Sequence, residues 1–351
     1  MIKIRNFIVF LIIISLLPIS SCEFSPETQK YEASFFDFFD TVTVITGYEE
    51  KREDFDEVAD EIKELLAKYH RLFDIYNEYE GINNIAVINN TYFKEQKPIE
   101  VDKEIIELLE FSQDIYELSN GKVNISMGSV LSIWHGYRMS GKSDPDNPKL
   151  PSIDELNEAN LHTDINNIII DKEKMTVLIS DDKTKLDVGA IAKGFACEKI
   201  AKYLSEKGIT GYLINIGGNV RALGDNPDGE PWIVGVENPN RDDKKNPYIA
   251  VLNLKDMALV TSGSYQRFYT VNGKNYHHII DPETLMPSER YLSVSVLSRD
   301  SGLADALSTA LFNMTYEEGF KLIENINDTE AVWVMPQGEV RYSHGLTGYL
   351  C

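Results

Sequence analysis

Apolar residues between Phe55 and Tyr76 fall at spacings of three and four: Phe55, Val58, Ala59, Ile62, Leu65, Leu66, Tyr69, Leu72, Phe73 and Tyr76. That rhythm puts one apolar face on a helix of about six turns, and such a face has to be buried against something. The rest of the chain supplies strands as well as helices. Residues 36–46 have the β-branched and aromatic content of a strand. A helix is predicted over 102–118 with Asp102 as its N-cap. Strands at 165–170 and 176–180 precede a helix near 192–207, stopped by Gly208. Beyond Gly211 the chain reads mainly as strands, with Asn272-Gly273 marking a hairpin. Helices at 302–313 and 316–325 and a strand at 331–335 complete it. Helices mixed irregularly with antiparallel-looking strands indicate an α+β fold rather than a doubly wound sheet. Residues 119–151, rich in Gly, Ser, Asn and Pro, read as a loop too long to be an idle connection.

The N-terminus fixes the compartment expected. Lys3 and Arg5 precede an apolar run over 7–19, broken only by Ser15 and Pro18, which ends at Ile19-Ser20-Ser21-Cys22. A basic start, a short apolar stretch and small residues before a cysteine have the form of a lipoprotein signal. The run falls short of the roughly 20 residues that span a bilayer. Residues 1–21 are therefore expected to be a signal peptide, and 22–33 a tether lipidated on Cys22. Residues 34–351 are expected to form one catalytic domain, exported and anchored to the outer face of the cell membrane. The formal net charge of −22 excludes a nucleic-acid partner, which demands a basic face. It also means that a polyanionic ligand must be held by local devices, such as a divalent cation. Cys197 and Cys351 make neither a disulfide framework nor a metal cluster; a core thiol and a free tail thiol are expected.

Four clusters carry chemistry, and each also has a plain structural explanation. In Asp187-Val188-Gly189-Ala190-Ile191-Ala192-Lys193-Gly194, a glycine-punctuated turn opens a helix, a place where backbone approaches an anion or a metal and Lys193 adds positive charge. An ordinary strand-to-helix turn explains it as well. Asn215-Ile216-Gly217-Gly218-Asn219 follows an apolar strand, which suits a phosphate or flat ligand against the backbone, or a β-bulge. Tyr276-His277-His278-Ile279-Ile280-Asp281-Pro282 is preceded by Thr261-Ser262-Gly263-Ser264-Tyr265. Adjacent histidines on a strand point to opposite faces, so one can handle a proton while the other packs. In Ala304-Asp305-Ala306-Leu307-Ser308-Thr309, Asp305 and Thr309 share one helix face, as hard oxygen ligands for Mg²⁺ or as an exposed Asp and a back-bonded Thr.

In this order the clusters resemble the ApbE-type FAD:protein FMN transferase family, together with Asp40-Thr41, a segment closing on Ile88-Asn89, and an aromatic loop at Trp134-His135-Gly136. The resemblance covers most of the chain beyond the tether. It implies an α+β fold of two related halves with FAD in the cleft between them. It implies Mg²⁺ held by the Ala190 carbonyl, the Asp305 carboxylate and the Thr309 hydroxyl, with Asp187 nearby and Lys193 at the phosphates. Flavin and adenine contacts would come from Trp134, Gly217, Gly218, Asn219, Thr261, Ser262, Gly263 and His278. The activity implied is transfer of FMN from FAD to a Thr or Ser of an acceptor flavoprotein with release of AMP. His278 is the first choice for proton transfer and Asp187 its rival. A Mg²⁺-dependent FAD pyrophosphatase and a non-catalytic FAD-binding lipoprotein are the alternatives. Leu285 stands where the family has a glycine, which removes an easy positive-φ position and puts the local loop geometry in question.

Overall fold

The computed structural model describes residues 28–95 and 97–351. Residues 1–21, expected to be a signal peptide, and Cys22 lie outside them. The described residues open with β1 (Gln29–Phe38), β2 (Thr41–Glu49), α1 (Arg52–Phe73), α2 (Ile85–Glu95), β3 (Ile99–Glu100) and α3 (Lys103–Leu118). Next come α4 (Gly128–Ser143), α5 (Ile153–Asn160), β4 (Ile168–Asp171), β5 (Thr176–Ile179), α6 (Ala192–Glu206), β6 (Tyr212–Ile216) and β7 (Asn219–Leu223). Strands β8 (Trp232–Glu237), β9 (Tyr248–Leu254), β10 (Ala258–Gly263), β11 (Phe268–Val271), β12 (Lys274–His277) and β13 (Ser293–Ser298) follow. The chain ends with α7 (Ser301–Asn313), α8 (Tyr316–Ile323), β14 (Glu330–Val334) and β15 (Val340–Tyr342).

An eight-stranded sheet in the order β1-β2-β6-β7-β10-β13-β14-β15 organises the molecule, with every pairing antiparallel. The α+β class is therefore as expected. The periodic face of α1 does what its spacing dictates: Phe55, Ala59, Ile62, Leu66, Tyr69, Leu72 and Phe73 are buried in one core that includes Ile45 of β2 and Ile200 of α6. Helix α7 is buried on almost all sides, as expected of a helix lying between the sheet and a second helix. Its small residues, Ala304, Ala306 and Ala310, allow that close approach. Asp102 caps α3 by accepting from the Glu104 N–H. Cys197 is buried and Cys351 exposed, both free.

Five readings change. Residues 29–33, assigned to the tether, are already strand β1. Residues 36–46 are not one strand but the end of β1, a two-residue turn at Phe39-Asp40, and the start of β2. The 119–151 stretch is not mainly loop, since it contains α4. Burial of Val130 and Trp134 outweighs the low helix propensity of its glycines and serines. Helix α2 was not anticipated, and residues 165–167 form a single 3₁₀ turn before β4.

Candidate active site

The motif-bearing turns gather at one end of the large sheet. Thr43 of β2 pairs with Ile216 of β6, and Val260 of β10 pairs with Asn219 of β7. The β1–β2 turn, the β6–β7 turn and the Thr261–Gly263 end of β10 are thereby brought side by side. The N-terminus of α6, one face of α7 and helix α4 close around them. A cavity of about 750 Å³ results. Its walls include Trp134, Asp187, Ala190, Lys193, Gly217, Asn219, Thr261, Ser262, Gly263, His278, Asp305 and Thr309. Of the catalytic, cofactor-binding and metal-binding residues expected from sequence, Gly218 alone is not on that wall. Its neighbour Gly217 is, and the two form the loop of a hairpin with φ of +57° and +96°, not a β-bulge. A Cβ on Gly217 would lie 2.2 Å from the Thr41 hydroxyl oxygen, so the glycine is what lets the two turns touch.

Asp305 is not an exposed helix carboxylate. It is almost fully buried; its Oδ2 accepts from the Gly194 N–H at 2.8 Å, and the Lys193 Nζ lies 3.4 and 3.5 Å from its two oxygens. Gly194 permits this. A Cβ there would meet the Ser301 carbonyl oxygen at 2.3 Å and Asp305 Cβ at 2.4 Å, holding α6 off α7. One turn along, the Thr309 hydroxyl is 3.3 Å from Ser262 Oγ, which also bonds Ser308 Oγ at 2.7 Å. Asp305, Thr309 and the Ala190 turn thus offer hard oxygen atoms on one wall. Among the described residues no group of three or more His, Cys, Asp and Glu side chains gathers as a metal site. A cation bound here would therefore rest on one carboxylate, a hydroxyl and a main-chain carbonyl, with further ligands from phosphate or water.

Asp187 sits at the start of the α6 turn. Its Oδ1 accepts from the Gly189 N–H at 2.9 Å, and burial raises its pKa, opposed by that bond and by His135 and Arg138. The segment is fixed from behind by Asn89, whose side-chain amide donates to the Leu186 carbonyl (2.9 Å) and accepts from the Leu186 N–H (2.7 Å). That gives the Ile88-Asn89 motif a purpose.

The two histidines divide as their adjacency requires. His277 is buried, with Nε2 at 2.7 Å from the Ser288 carbonyl. His278 lines the cavity, with Nδ1 at 3.3 Å from the Arg267 carbonyl. Burial, reinforced by Arg267, His277 and Arg138, pushes the His278 pKa down to about 3, so the ring is neutral near pH 7. A carbonyl only accepts, so Nδ1 carries the hydrogen and Nε2 keeps a lone pair.

Trp134 lines the cavity but is almost buried, and its indole N–H donates to the Leu285 carbonyl at 2.9 Å. The turn it steadies keeps its shape despite the missing glycine: Leu285 itself takes φ +59°. More accessible on α4 are His135, Arg138, Met139 and Lys142, all lining the cavity. Sequence reasoning quoted His135 only as part of an aromatic loop and missed Arg138, Met139 and Lys142, although the i, i+3, i+4, i+7 spacing marks one helix face once 128–143 is read as helix. Tyr76, His70, Arg267 and Asn313 were missed as well. Among the described residues the buried Asn219 Nδ2 and Asn313 Oδ1 have no hydrogen-bond partner, and both residues lie on the cavity wall. Lys122, Arg138, Lys142, Lys193 and Arg267 face Asp37, Asp40, Asp74, Asp187 and Asp305 around the cavity. The site is thus locally charge-balanced inside a strongly acidic protein, which is the local device an anionic ligand requires.

A mixed α+β fold with a large, charge-balanced cavity at one end of its main sheet is the frame that the comparisons with known proteins have to match. The ApbE family model matches residues 39–333, and the chain belongs to that family. The FAD:protein FMN transferase of Treponema pallidum (strain Nichols) is 33% identical over 264 residues, covering 71% of this chain and 70% of that protein. The protein of the same name from Klebsiella pneumoniae (strain 342) is 27% identical over 280 residues, covering 77% and 83%. Among solved structures, the ApbE protein of Thermotoga maritima superposes with a TM-score of 0.78 at 29% identity, over 92% of this chain and 99% of that one. The flavin transferase ApbE of Vibrio cholerae shares the fold with a TM-score of 0.75 at 24% identity, over 92% of this chain and all of that one (100%).

Proposed function

We propose that this chain is an FAD:protein FMN transferase that uses Mg²⁺, moves FMN onto a Ser or Thr hydroxyl of an acceptor protein, and releases AMP. The observation that carries the reading is the convergence of Asp305, Thr309, Lys193 and His278 on one cavity in a member of the ApbE family. Asp305, Thr309 and the Ala190 carbonyl would hold Mg²⁺, whose hard-ligand preference they match. When bound, the ion neutralises charge on the phosphate oxygens as the bond between the two phosphates breaks. The remaining work falls to side chains. Lys193 and the N-terminal turn of α6 bind phosphate oxygens; Gly217, Asn219 and Thr261–Gly263 hold the rings and sugars of FAD. The acceptor hydroxyl oxygen attacks the FMN-side phosphorus, a new phosphoester bond forms, and AMP leaves with the bridging oxygen. His278 Nε2 takes the hydroxyl proton, and its basicity rises when a pyrophosphate lies beside it. Asp187 is the other base within the cavity, one Oδ already engaged by Gly189. Cys22, following the Lys3–Ser21 signal pattern, supports export and lipid anchoring at the outer face of the membrane.

The test is incubation with FAD, Mg²⁺ and an exported Ser/Thr acceptor domain, followed by measurement of covalent flavin and AMP. Wild type should transfer, and Asp305→Ala should lose at least about 100-fold in rate, the scale of removing one preorganised electrostatic group. Equal transfer by Asp305→Ala would refute the reading. FMN and AMP produced at full rate with no covalent product would make the enzyme a pyrophosphatase. Intact FAD after prolonged incubation would make it a carrier.

A further inference from the structure

The β1–β2 turn places two side-chained residues in the left-handed region, Phe39 at φ +54° and Asp40 at φ +51°, with no glycine to relieve either. Such strain persists only where the surroundings over-determine it, and here two sets of contacts do so. On one side the Phe39 N–H donates to His70 Nδ1 at 3.3 Å, and the two rings meet edge-on at 5.7 Å. His70 Nε2 lies 3.5 Å from the Tyr79 hydroxyl, which donates to Asp74 at 2.8 Å. On the other side Arg267 Nη2 donates to the Asp40 carbonyl at 3.2 Å. The main-chain carbonyl of Arg267 is also the partner of His278 Nδ1. One residue therefore grips the strained turn with its side chain and His278 with its backbone, and Phe39, Asp40, His70, Asp74, Arg267 and His278 line the same cavity.

We propose that Arg267 is a positioning residue: anchored on the Phe39–Asp40 turn that His70 holds in place, it fixes the orientation and tautomer of the His278 ring. The proposal rests on the reading that His278 handles the acceptor's proton. Arg267 sits in the connection between β10 and β11, just before the first residue of β11. The guanidinium contact with Asp40 therefore ties that connection to the far end of the sequence. Without it the Arg267 carbonyl is free to turn, and a neutral imidazole that loses its acceptor exchanges between Nδ1–H and Nε2–H forms. In the second form no lone pair faces the acceptor hydroxyl. The strain at Phe39 and Asp40 then has a use, because a turn held from both sides is a rigid anchor for the Arg267 clasp.

Long-range ¹H–¹⁵N spectra of the ¹⁵N-histidine-labelled protein, with His278 assigned through His278→Asn, test this directly. Wild type should show a single Nδ1–H signature for His278. Arg267→Ala and His70→Leu should both show mixed tautomers. Their kcat for FMN transfer should fall about 10- to 100-fold, the cost of misplacing a reacting group by about an ångström, while KM for FAD changes less in His70→Leu. His70→Asn, whose amide oxygen can accept the Phe39 N–H, should restore both signature and rate. An unchanged Nδ1–H signature in both variants would overturn the proposal. Full transfer activity in His278→Asn would remove the reading on which it rests, while the spectra still decide the positioning claim. If Arg267→Ala fails to fold, His70→Leu carries the test from the opposite side of the turn.

Discussion

Two hairpin turns share one backbone geometry and differ in everything else. At the tip of β11–β12, Asn272 and Gly273 take φ of +51° and +79°, the residues such a turn favours, and nothing lies within 4 Å of a Cβ built on Gly273. At the cavity, Phe39 and Asp40 are left-handed too, at φ +54° and +51°, without a glycine's help, held by His70 and Arg267. The remote turn is made by its own residues; the cavity turn is imposed by its neighbours. The same contrast recurs at Leu285, a buried leucine at φ +59° whose carbonyl Trp134 engages. In these two turns local sequence and backbone agree at the remote tip and conflict beside the cavity, where neighbouring groups hold a conformation the local residues do not favour.

Gly217→Ala should break that contrast most severely. A Cβ at φ +57° is strained, and it would meet Thr41 Oγ1 at 2.2 Å and Cγ2 at 2.7 Å. Left-handed strain and overpacking together should cost about 3 kcal/mol in urea unfolding. Because Thr41 follows the Phe39–Asp40 turn, FMN transfer should fall by about 100-fold as well. A mild effect on both would mean that the cavity turns are no more constrained than the remote one. Leu285→Gly has a sign that must be decided by magnitude. Relief of positive φ gains about 1 kcal/mol, but deleting a leucine side chain packed with Trp134 and Tyr269 costs about 2–5 kcal/mol. Loss of about 2 kcal/mol is therefore expected in the same measurement. A stabilised variant would show that packing does not hold the leucine there.

What the sequence revealed and what it hid follow the same line. Helical spacing puts Asp305 and Thr309 on one face, and the family resemblance singled that face out as a site. Asn272-Gly273 was legible because its residues suit the turn they make. Gly194 could be recognised as a motif glycine, but its reason is a contact with Ser301 and Asp305, more than a hundred positions along the chain. The His135, Arg138, Met139 and Lys142 face was hidden because the glycines and serines of α4 argue against a helix that burial of Trp134 nonetheless sustains. The Phe39–Asp40 turn was hidden for a deeper reason: Asp40 tolerates a left-handed backbone but Phe39 does not favour one, so the turn emerges only once His70 and Arg267 stand on either side.

Gly273→Ala should give the smallest effect and so sets the baseline for the comparison. With open space around the new Cβ, the only native-state cost is a left-handed alanine. The loss of chain freedom in the unfolded state partly offsets it, leaving about 1 kcal/mol of destabilisation. Fraying should stay at the tip, because the opposite end of the hairpin is fixed by the Phe268–His277 pairing and by the His277 bond to Ser288. Rate of FMN transfer and the His278 imidazole signature should therefore match wild type while the unfolding midpoint falls slightly. If the rate drops with the midpoint, the β11–β12 hairpin moves as one body with His278, and the division between self-made and imposed turns would have to be redrawn with this hairpin on the cavity side.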